Sequence, residues 1–258
     1  MPRTKPPARP PAVTDLQSRI AALRKQSGYS RTLIALLRRA AALDDADALE
    51  ELGMLLRDGL TDRRGRPLVR RNAAASVRCY RRAAELGSAA AMEALGDALS
   101  AAWMGGGRAP PLPSSPEAQE AIGWYQRAIR LGGDGYNLAV TYQSLGMHDK
   151  AVAWFRRSAA GGQIDALLPL AKAEMYGIGT PRDVLGALVK LQEVAGTKSA
   201  DVARFDREEA MRTIAQILYD GWLMPRDFAD AVRWLRRAAK LGSEAARGLL
   251  RDHGEAER

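Results

Sequence analysis

The sequence predicts an all-α protein built as a solenoid of stacked antiparallel helical hairpins. The first observation behind this prediction is a recurring segment that combines an aromatic residue, basic residues, small residues and a glycine. It is clearest at 231–243 and recurs at 80–87, 124–132 and 154–162, with weaker copies at 36–43 and 190–196. The second is a pattern upstream of these copies, in which leucine or isoleucine precedes a small residue. Self-similarity at a period of roughly 30 to 45 residues is typical of solenoids.

The last copy shows why each recurring segment should be a helix. Ala231, Trp234, Leu235 and Ala238 recur at helical spacing and form one apolar stripe, while arginine and lysine occupy the other side. Gly242 follows closely, which suits the left-handed residue that often ends a helix. Small residues let two helices approach closely, and the tryptophan supplies buried area.

The upstream pattern predicts a second helix in each repeat. Its pairs are Leu52-Gly53, Leu95-Gly96, Leu138-Ala139, Leu170-Ala171 and Ile214-Ala215. Neither helix of a repeat can bury its apolar stripe alone. The hairpins are therefore expected to stack side by side and to share a continuous core.

Two further motifs complete the repeat. A glycine turn followed by Pro-x-Asp stands at 177–183 and 221–227, and the aromatic pairs begin at Trp124, Trp154 and Trp234. In combination, and over residues 46–254, these motifs resemble Sel1-like repeats, which are relatives of the tetratricopeptide repeats. The resemblance implies a right-handed α-solenoid in which the first helix of each hairpin lines the concave side.

Two repeats depart from the family pattern. Cys79 and Lys190 stand where the tryptophan is expected, and Glu174 replaces the aromatic residue of a first helix. Repeats one and four are therefore expected to pack less well. Cys79 is the single cysteine, which excludes an internal disulfide, and its core position predicts a buried thiol rather than a nucleophile.

The chain divides into three predicted segments. Residues 1–13 are proline-rich and basic, which predicts a disordered tail. Residues 14–45 are expected to form a capping helical hairpin, with Thr14 and Ser30 as helix caps. Residues 46–254 would hold about five repeats and a closing helix. Because no apolar leader segment or long apolar run is present, the sequence predicts a cytoplasmic protein without membrane contact.

The sequence shows no recognisable arrangement of catalytic or metal-binding residues. His148 and His253 have neither cysteine nor histidine at metal-ligand spacing, and neither belongs to a Ser/His/Asp arrangement. The glycines at 105–107 lack the strand–loop–helix context of a phosphate loop and predict a flexible loop. The sequence therefore predicts no enzyme, no cofactor and no metal, but a scaffold or adaptor of bacterial type.

The predicted binding surface is the concave groove. In tetratricopeptide geometry, concave positions fall at fixed offsets from the leucine of each leucine–small pair. Carried over to this chain, the resemblance assigns to the groove Met54, Arg57, Asp97, Tyr136, Gln143, Lys172, Met175, Tyr176, Arg212, Gln216 and Tyr219. Tyrosine, arginine and methionine are typical of protein-binding surfaces. The competing interpretation is that the tyrosines pack between repeats and the other side chains are solvated.

An arginine-rich insert distinguishes repeat one. Nine arginines against Asp58 and Asp62 give residues 57–82 a formal charge of +7, most of the chain's +9. We expect this region, with Arg63, Arg64 and Arg66 inside it, to steer an acidic protein partner. That partner would belong to a regulatory complex, or would be an effector or toxin that the chain neutralises. The alternative is a nucleic-acid partner bound by the same region.

Two further surfaces have open interpretations. The inserts 60–75 and 103–116 fall between the helices of their hairpins and are either binding elements or plain loops. Basic pairs of the second helices, such as Arg156-Arg157 and Arg236-Arg237, would face the convex side and either follow phosphates or stay solvated. We favour a solvated convex face because the family pattern itself places basic residues there.

Overall fold

The structure is a computed structural model, which describes residues 11–27, 29–104, 109–199, 202–221 and 226–252. The chain separates into two compact units, Met1–Gly133 and Asp134–Arg258. The described residues form thirteen α-helices, one 3-10 turn and one two-stranded sheet. The predicted all-α repeat architecture is confirmed, because consecutive helices pack as hairpins within each unit.

Unit 1 contains three helical hairpins and the sheet. Its elements are α1 (Pro11–Ser27), α2 (Arg31–Ala41), α3 (Ala46–Asp58), β1 (Leu60–Thr61), β2 (Pro67–Val69), α4 (Ala73–Glu85), α5 (Ala89–Met104) and α6 (Pro116–Arg130). Unit 2 contains three hairpins and a closing helix. Its elements are α7 (Tyr136–Ser144), α8 (His148–Ala160), a 3-10 turn (Ile164–Ala166), α9 (Leu167–Tyr176), α10 (Val184–Gly196), α11 (Arg204–Asp220), α12 (Phe228–Leu241) and α13 (Glu244–Asp252).

The first hairpin begins earlier than the sequence indicated. α1 starts at Pro11, so residues 11–13 are helical, and Thr14 lies inside the helix rather than capping it. A proline suits the first turn of a helix, where its missing N–H costs nothing. Ser30 caps α2 as predicted, since its hydroxyl accepts a hydrogen bond from the backbone N–H of Leu33. The rest of the predicted tail, residues 1–10, lies outside the described residues.

The insert of repeat one contains the two-stranded sheet, which the sequence analysis did not predict. β1 and β2 pair antiparallel, with Leu60 opposite Val69. The Asp62 carboxylate closes the turn by accepting hydrogen bonds from the backbone N–H groups of Arg64 and Arg66. Val69 is 3% exposed and packs in the core that α1, α2 and α3 share. This burial fixes a segment whose sequence is too polar and too short to predict a strand.

In repeats one and two, a glycine lets the paired helices approach closely. A Cβ atom added at Gly53 would lie 2.7 Å from the Tyr80 ring, and one at Gly96 would lie 2.7 Å from the Tyr125 ring. Repeats three to five have alanine at this position, and Phe155, Leu191 and Leu235 at the position of the tyrosine. Tyrosine is thus paired with glycine in repeats one and two, whereas phenylalanine or leucine is paired with alanine in repeats three to five.

Substitution of Gly96 by alanine tests this contact. The added methyl group would overlap the Tyr125 ring, whose hydroxyl is held by the Asp97 carboxylate at 2.6 Å. We expect Gly96→Ala to lower the free energy of unfolding by about 1–3 kcal/mol, measured by urea denaturation. Tyr125→Leu in the same background should recover part of the loss, because it copies the pairing of repeats four and five.

Gly123→Ala is the matched control. No heavy atom lies within 4 Å of a Cβ at this position of α6. Helix propensity alone should then raise stability by roughly 0.5–1 kcal/mol. Equal destabilisation by the two substitutions would contradict the steric explanation of Gly96.

Two departures from the family pattern in repeat four are partners of each other. Lys190 Nζ lies 2.8 Å from Oε2 of Glu174, a side chain that is only 7% exposed. Arg156 of α8 approaches the same carboxylate, with Nη2 3.5 Å from Oε1. A buried carboxylate is tolerated only when it is paired. The charged pair therefore replaces the aromatic side chains that the family pattern places at these two positions.

Removal of one partner should cost more than removal of both. We expect Lys190→Met to lower the free energy of unfolding by about 3 kcal/mol, because the buried Glu174 side chain loses its nearer partner. The double variant Glu174→Met/Lys190→Met should recover most of that loss. The exposed pair of Glu244 and Arg247 serves as a control, and Glu244→Gln should change stability by less than about 1 kcal/mol. An additive double variant would show that the two side chains do not interact.

Arginines of the second helices stack on their own tryptophans. The guanidinium of Arg127 lies 4.5 Å from the ring centroid of Trp124, and Arg237 lies 4.0 Å from that of Trp234. The corresponding distance between Arg157 and Trp154 is 4.8 Å. Such cation–π contacts contribute about 0.5–1 kcal/mol at exposed sites. The recurring basic residue three positions after the tryptophan thus covers its ring.

Candidate protein-binding groove

Unit 2 contains a groove of about 850 Å³ bounded by α11, α12 and α13. Three predicted groove residues, Arg212, Gln216 and Tyr219, line it from α11. Ala215 of α11 also lines it, and α12 and α13 supply the remaining lining, which is Phe228, Ala229, Ala231, Val232, Arg233, Leu235, Arg236 and Leu249. The volume is within the range of sites that hold a small ligand or a few side chains of a peptide.

Local sequence explains how the two aromatic residues meet in this groove. α11 ends at Gly221, which adopts the left-handed conformation. Asp227 then begins α12, because its carboxylate accepts a hydrogen bond from the backbone N–H of Asp230. Phe228 is therefore the first residue of α12, and its ring meets Tyr219 edge to face at 5.0 Å. Phe228 remains 48% exposed, so this aromatic pair forms an accessible wall.

The groove is open where the preceding repeat is closed. Tyr219 holds the position that Met175 holds one repeat earlier, five residues after the leucine or isoleucine of the first helix. Met175 is 3% exposed and belongs to the core of unit 2, whereas Tyr219 is half-buried. The prediction that Met175 presents its thioether to a partner is therefore wrong. Repeat four is followed by the 17-residue α11, but repeat five by the nine described residues of α13.

The lining of the groove is apolar at its base and basic at its rim. Among the twelve lining residues there are three arginines and no carboxylate. Arg212 lies 3.5 Å from Glu209, and Arg233 lies 3.0 Å from Asp230, so two of the arginines have acidic neighbours outside the lining. The Arg233 side chain is 70% exposed, and an ion pair at so exposed a side chain contributes little to stability.

Other predicted residues of unit 2 lie outside this lining. Gln143 is exposed, and Tyr176 is 57% exposed at the end of α9. Tyr136 packs against Phe155, with ring centroids 5.9 Å apart. The Lys172 ammonium donates a hydrogen bond to the Glu209 carboxylate at 2.6 Å. Tyr136 and Lys172 both lie near the Asp206 carboxyl.

The side chains around Tyr136 and Asp206 are mainly acidic. Burial, with Asp165 and Asp206 nearby, raises the pKa of the Tyr136 hydroxyl. Burial also raises the pKa of the Asp206 carboxyl, with further increases from Asp165 and Glu209 and an opposing effect from Lys172. Within the described residues, no three acidic, histidine or cysteine side chains are grouped so that they could hold a metal ion.

The predicted groove residues of unit 1 are Met54, Arg57 and Asp97. Met54 is 37% exposed, and Arg57 pairs with the Asp58 carboxylate at 2.8 Å. This hydrogen bond raises the pKa of the Arg57 guanidinium, and the negative charge of Asp97 adds to the effect. Asp97 in turn accepts the hydrogen bond from Tyr125. The structure therefore brings Arg57 and Asp97 near one another.

The predicted arginines of the insert lie on the β1–β2 hairpin. Arg63, Arg64 and Arg66 are all exposed. Arg66 pairs with Asp62 at 2.9 Å, while Arg63 and Arg64 form no ion pair within the part of the chain that the structure describes.

The sequence prediction missed the contribution of α12 and α13 to the groove. It considered only first helices, because the tetratricopeptide rule concerns those. Phe228 carried a signal, since a large aromatic residue stands where repeats one and two have Ala73 and Ala118 at the corresponding position. The sequence contains no comparable signal for Leu249, because the exposure of this residue depends on how the closing helix packs on repeat five.

Paired helices with a recurring glycine or alanine contact define a helical-repeat protein. Comparison with known protein families identifies the type of repeat. The family model described as Sel1 repeat matches residues 46–88, 89–133, 148–163 and 208–243. The chain belongs to the Sel1 repeat family. Sel1 repeat proteins are generally scaffolds for protein interaction and carry no catalytic site. The helices α9 and α10, which hold Glu174 and Lys190, fall outside the matched segments.

Solved structures support the fold. A protective antigen of uropathogenic Escherichia coli, described as displaying an SLR fold, matches with a TM-score of 0.68 and 20% identity over 95% of this chain. The chain spans 50% of the length of that structure. A Sel1 repeat protein from Oxalobacter formigenes matches with a TM-score of 0.58 and 21% identity, over 88% of this chain and 84% of its own. Comparison with curated protein sequences gives no match.

A weaker likeness supports no functional argument. An immunity protein from Pseudomonas aeruginosa has a TM-score of 0.42 and 16% identity, over 91% of this chain and 84% of its own.

None of the helices in the described ranges combines the length and apolar character that a bilayer crossing requires. The cytoplasmic location stays a prediction.

The raised pKa of Asp206 predicts a pH-dependent effect on stability. The folded chain binds a proton at the Asp206 carboxyl more tightly than the unfolded chain does. The free energy of unfolding therefore rises as the pH falls from the pKa of Asp206 in the folded chain to its pKa in the unfolded chain. Asp206→Asn should therefore be more stable than the wild type at pH 7, and this advantage should shrink as the pH approaches 4. Thermal unfolding at a series of pH values measures it.

Asp44→Asn provides a control of opposite sign. The hydrogen bond from Arg82 lowers the pKa of Asp44. Asparagine at this position should therefore lower stability at neutral pH, and the deficit should vanish in acid. The same pH trend in both variants would contradict the assignment of Asp206.

Proposed function

We propose that this chain is a non-catalytic scaffold whose groove between α11 and α13 binds a projecting segment of a partner protein. The observation that carries the proposal is the composition of the lining, which combines an exposed aromatic pair, an apolar base and three arginines without a carboxylate. The expected occupant is a segment with one large apolar side chain flanked by aspartate or glutamate.

The chemistry of the groove favours this occupant over a small polar ligand. Aromatic residues and arginine dominate the energetics of protein interfaces, especially where a concave surface excludes water. An apolar side chain would cover Phe228 and Val232, which are otherwise accessible to solvent. Carboxylates on either side would meet the guanidinium groups of Arg212, Arg233 and Arg236, which favours an acidic segment.

The proposal covers two kinds of partner. An adaptor in a regulatory complex and a protein that neutralises an effector or toxin would both use a groove of this kind. The membership of the Sel1 repeat family supports protein interaction in general. The acidic character of the partner rests on the arginines of the rim alone.

Selection from a phage-displayed library of random 12-residue peptides tests the groove. With the full chain as bait, we expect enrichment of peptides in which a leucine, methionine or aromatic residue is flanked by acidic residues. Phe228→Ala and Tyr219→Ala should each weaken the enriched peptides by roughly 30-fold or more, since central aromatic side chains contribute about 2 kcal/mol or more at interfaces. Fluorescence anisotropy with a labelled peptide measures the loss.

Phe205→Ala is the matched control. Phe205 is 68% exposed in the same unit and does not line the groove, so its replacement should leave peptide affinity unchanged. Circular dichroism should show full helical signal in all variants. Basic or charge-neutral enriched peptides, or equal losses with Phe205→Ala and Phe228→Ala, would refute the proposed occupant.

A further inference from the structure

We infer that the β1–β2 hairpin of unit 1, with the arginines at its turn and base, is a docking element for the phosphate backbone of a nucleic-acid duplex. This inference is separate from the protein-binding groove proposed in unit 2 and does not depend on it. It rests on three properties of the hairpin: uncompensated positive charge, a rigid attachment, and the absence of an exposed large apolar side chain from residues 60–72.

The uncompensated charge of residues 57–82 is concentrated on a few of the nine arginines in this region. Most of the others are neutralised or engaged locally. Arg57 pairs with Asp58, Arg66 with Asp62, Arg81 with Glu120 and Arg82 with Asp44. Arg71 donates to the Asp58 carbonyl at 2.6 Å. The side chains that form no ion pair with any described residue are exposed, and they are Arg63, Arg64, Arg70 and Arg78.

The hairpin holds these charges on a rigid base. Asp62 accepts hydrogen bonds from the backbone N–H groups of Arg64 at 2.8 Å and Arg66 at 3.0 Å. Gly65 has φ of +74°, a left-handed conformation that this turn requires and that glycine adopts without strain. At the other end, Val69 is buried in the core of unit 1. Little conformational entropy is therefore lost when the hairpin meets a partner.

The side-chain inventory favours nucleic acid over an acidic protein. Protein interfaces depend on buried aromatic or aliphatic anchors. The apolar residues of the hairpin, Leu60, Leu68 and Val69, pack towards the core of unit 1 and present no such anchor. Guanidinium groups without neighbouring apolar surface match a phosphate backbone, which is recognised by charge and paired hydrogen bonds.

The same inventory favours a duplex over a single strand. Single-stranded nucleic acids are gripped mainly by aromatic side chains on which the bases stack. Residues 60–72 contain no aromatic residue. The hairpin therefore offers phosphate contacts alone, which carry no sequence preference.

Fluorescence anisotropy with a labelled 20-base-pair duplex of mixed sequence tests the inference. We expect the full chain to bind at 50 mM salt and to lose affinity steeply at 200 mM. The variant Arg63→Gln/Arg64→Gln/Arg70→Gln should reduce the slope of log affinity against log salt by about three, roughly one for each lost phosphate contact. Parallel DNA and RNA duplexes distinguish the two sources of phosphate.

A control variant with the same loss of charge separates this site from a general charge effect. Arg130→Gln/Lys240→Gln/Arg251→Gln removes three exposed cations outside the hairpin and should leave the slope nearly unchanged. A 20-residue polyglutamate is the competing acidic ligand and should displace the duplex only weakly. Absence of duplex binding at 50 mM salt, equal slopes for the two triple variants, or polyglutamate binding as tight as that of the duplex would overturn the inference.

Discussion

The structure depends on the distance between the two helices of each repeat. A small residue on the first helix allows a large residue of the second helix to lie directly against its backbone, as Gly53 does for Tyr80. That contact buries the apolar stripe of both helices, and neither stripe could be buried by one helix alone. Because the small residue recurs through the chain, the same packing is repeated with different side chains, and the outer surfaces are left free to vary.

This constraint explains why the fold could be predicted from the sequence. Leucine–small pairs and the aromatic segments are packing residues, and their spacing follows directly from helical geometry. The elements that escaped prediction depend on contacts distant in sequence. The β1–β2 hairpin exists because Val69 reaches a core formed by the first three helices, and no local pattern reveals that. The start of α1 was missed for the opposite reason, since proline-rich composition concealed a helix that begins at Pro11.

The candidate site was predictable only in part. Arg212, Gln216 and Tyr219 follow from the position rule for first helices, and all three line the groove. Met175 satisfies the same rule but is buried in the core of unit 2. The rule gives the direction of a side chain, whereas its exposure depends on the next repeat. The pairing of Glu174 with Lys190 shows a related limit: two departures that each indicated poor packing compensate one another.

The location of the β1–β2 hairpin has a consequence for how such a chain can diversify. It is inserted between the two helices of one repeat, where extra residues lengthen a connection without separating the helices that it joins. The entropy of closing such a connection rises only slowly with its length. An insertion at this point can therefore bring a new surface chemistry while the stack beneath it keeps its register, so that a single repeat becomes specialised without any change in its neighbours.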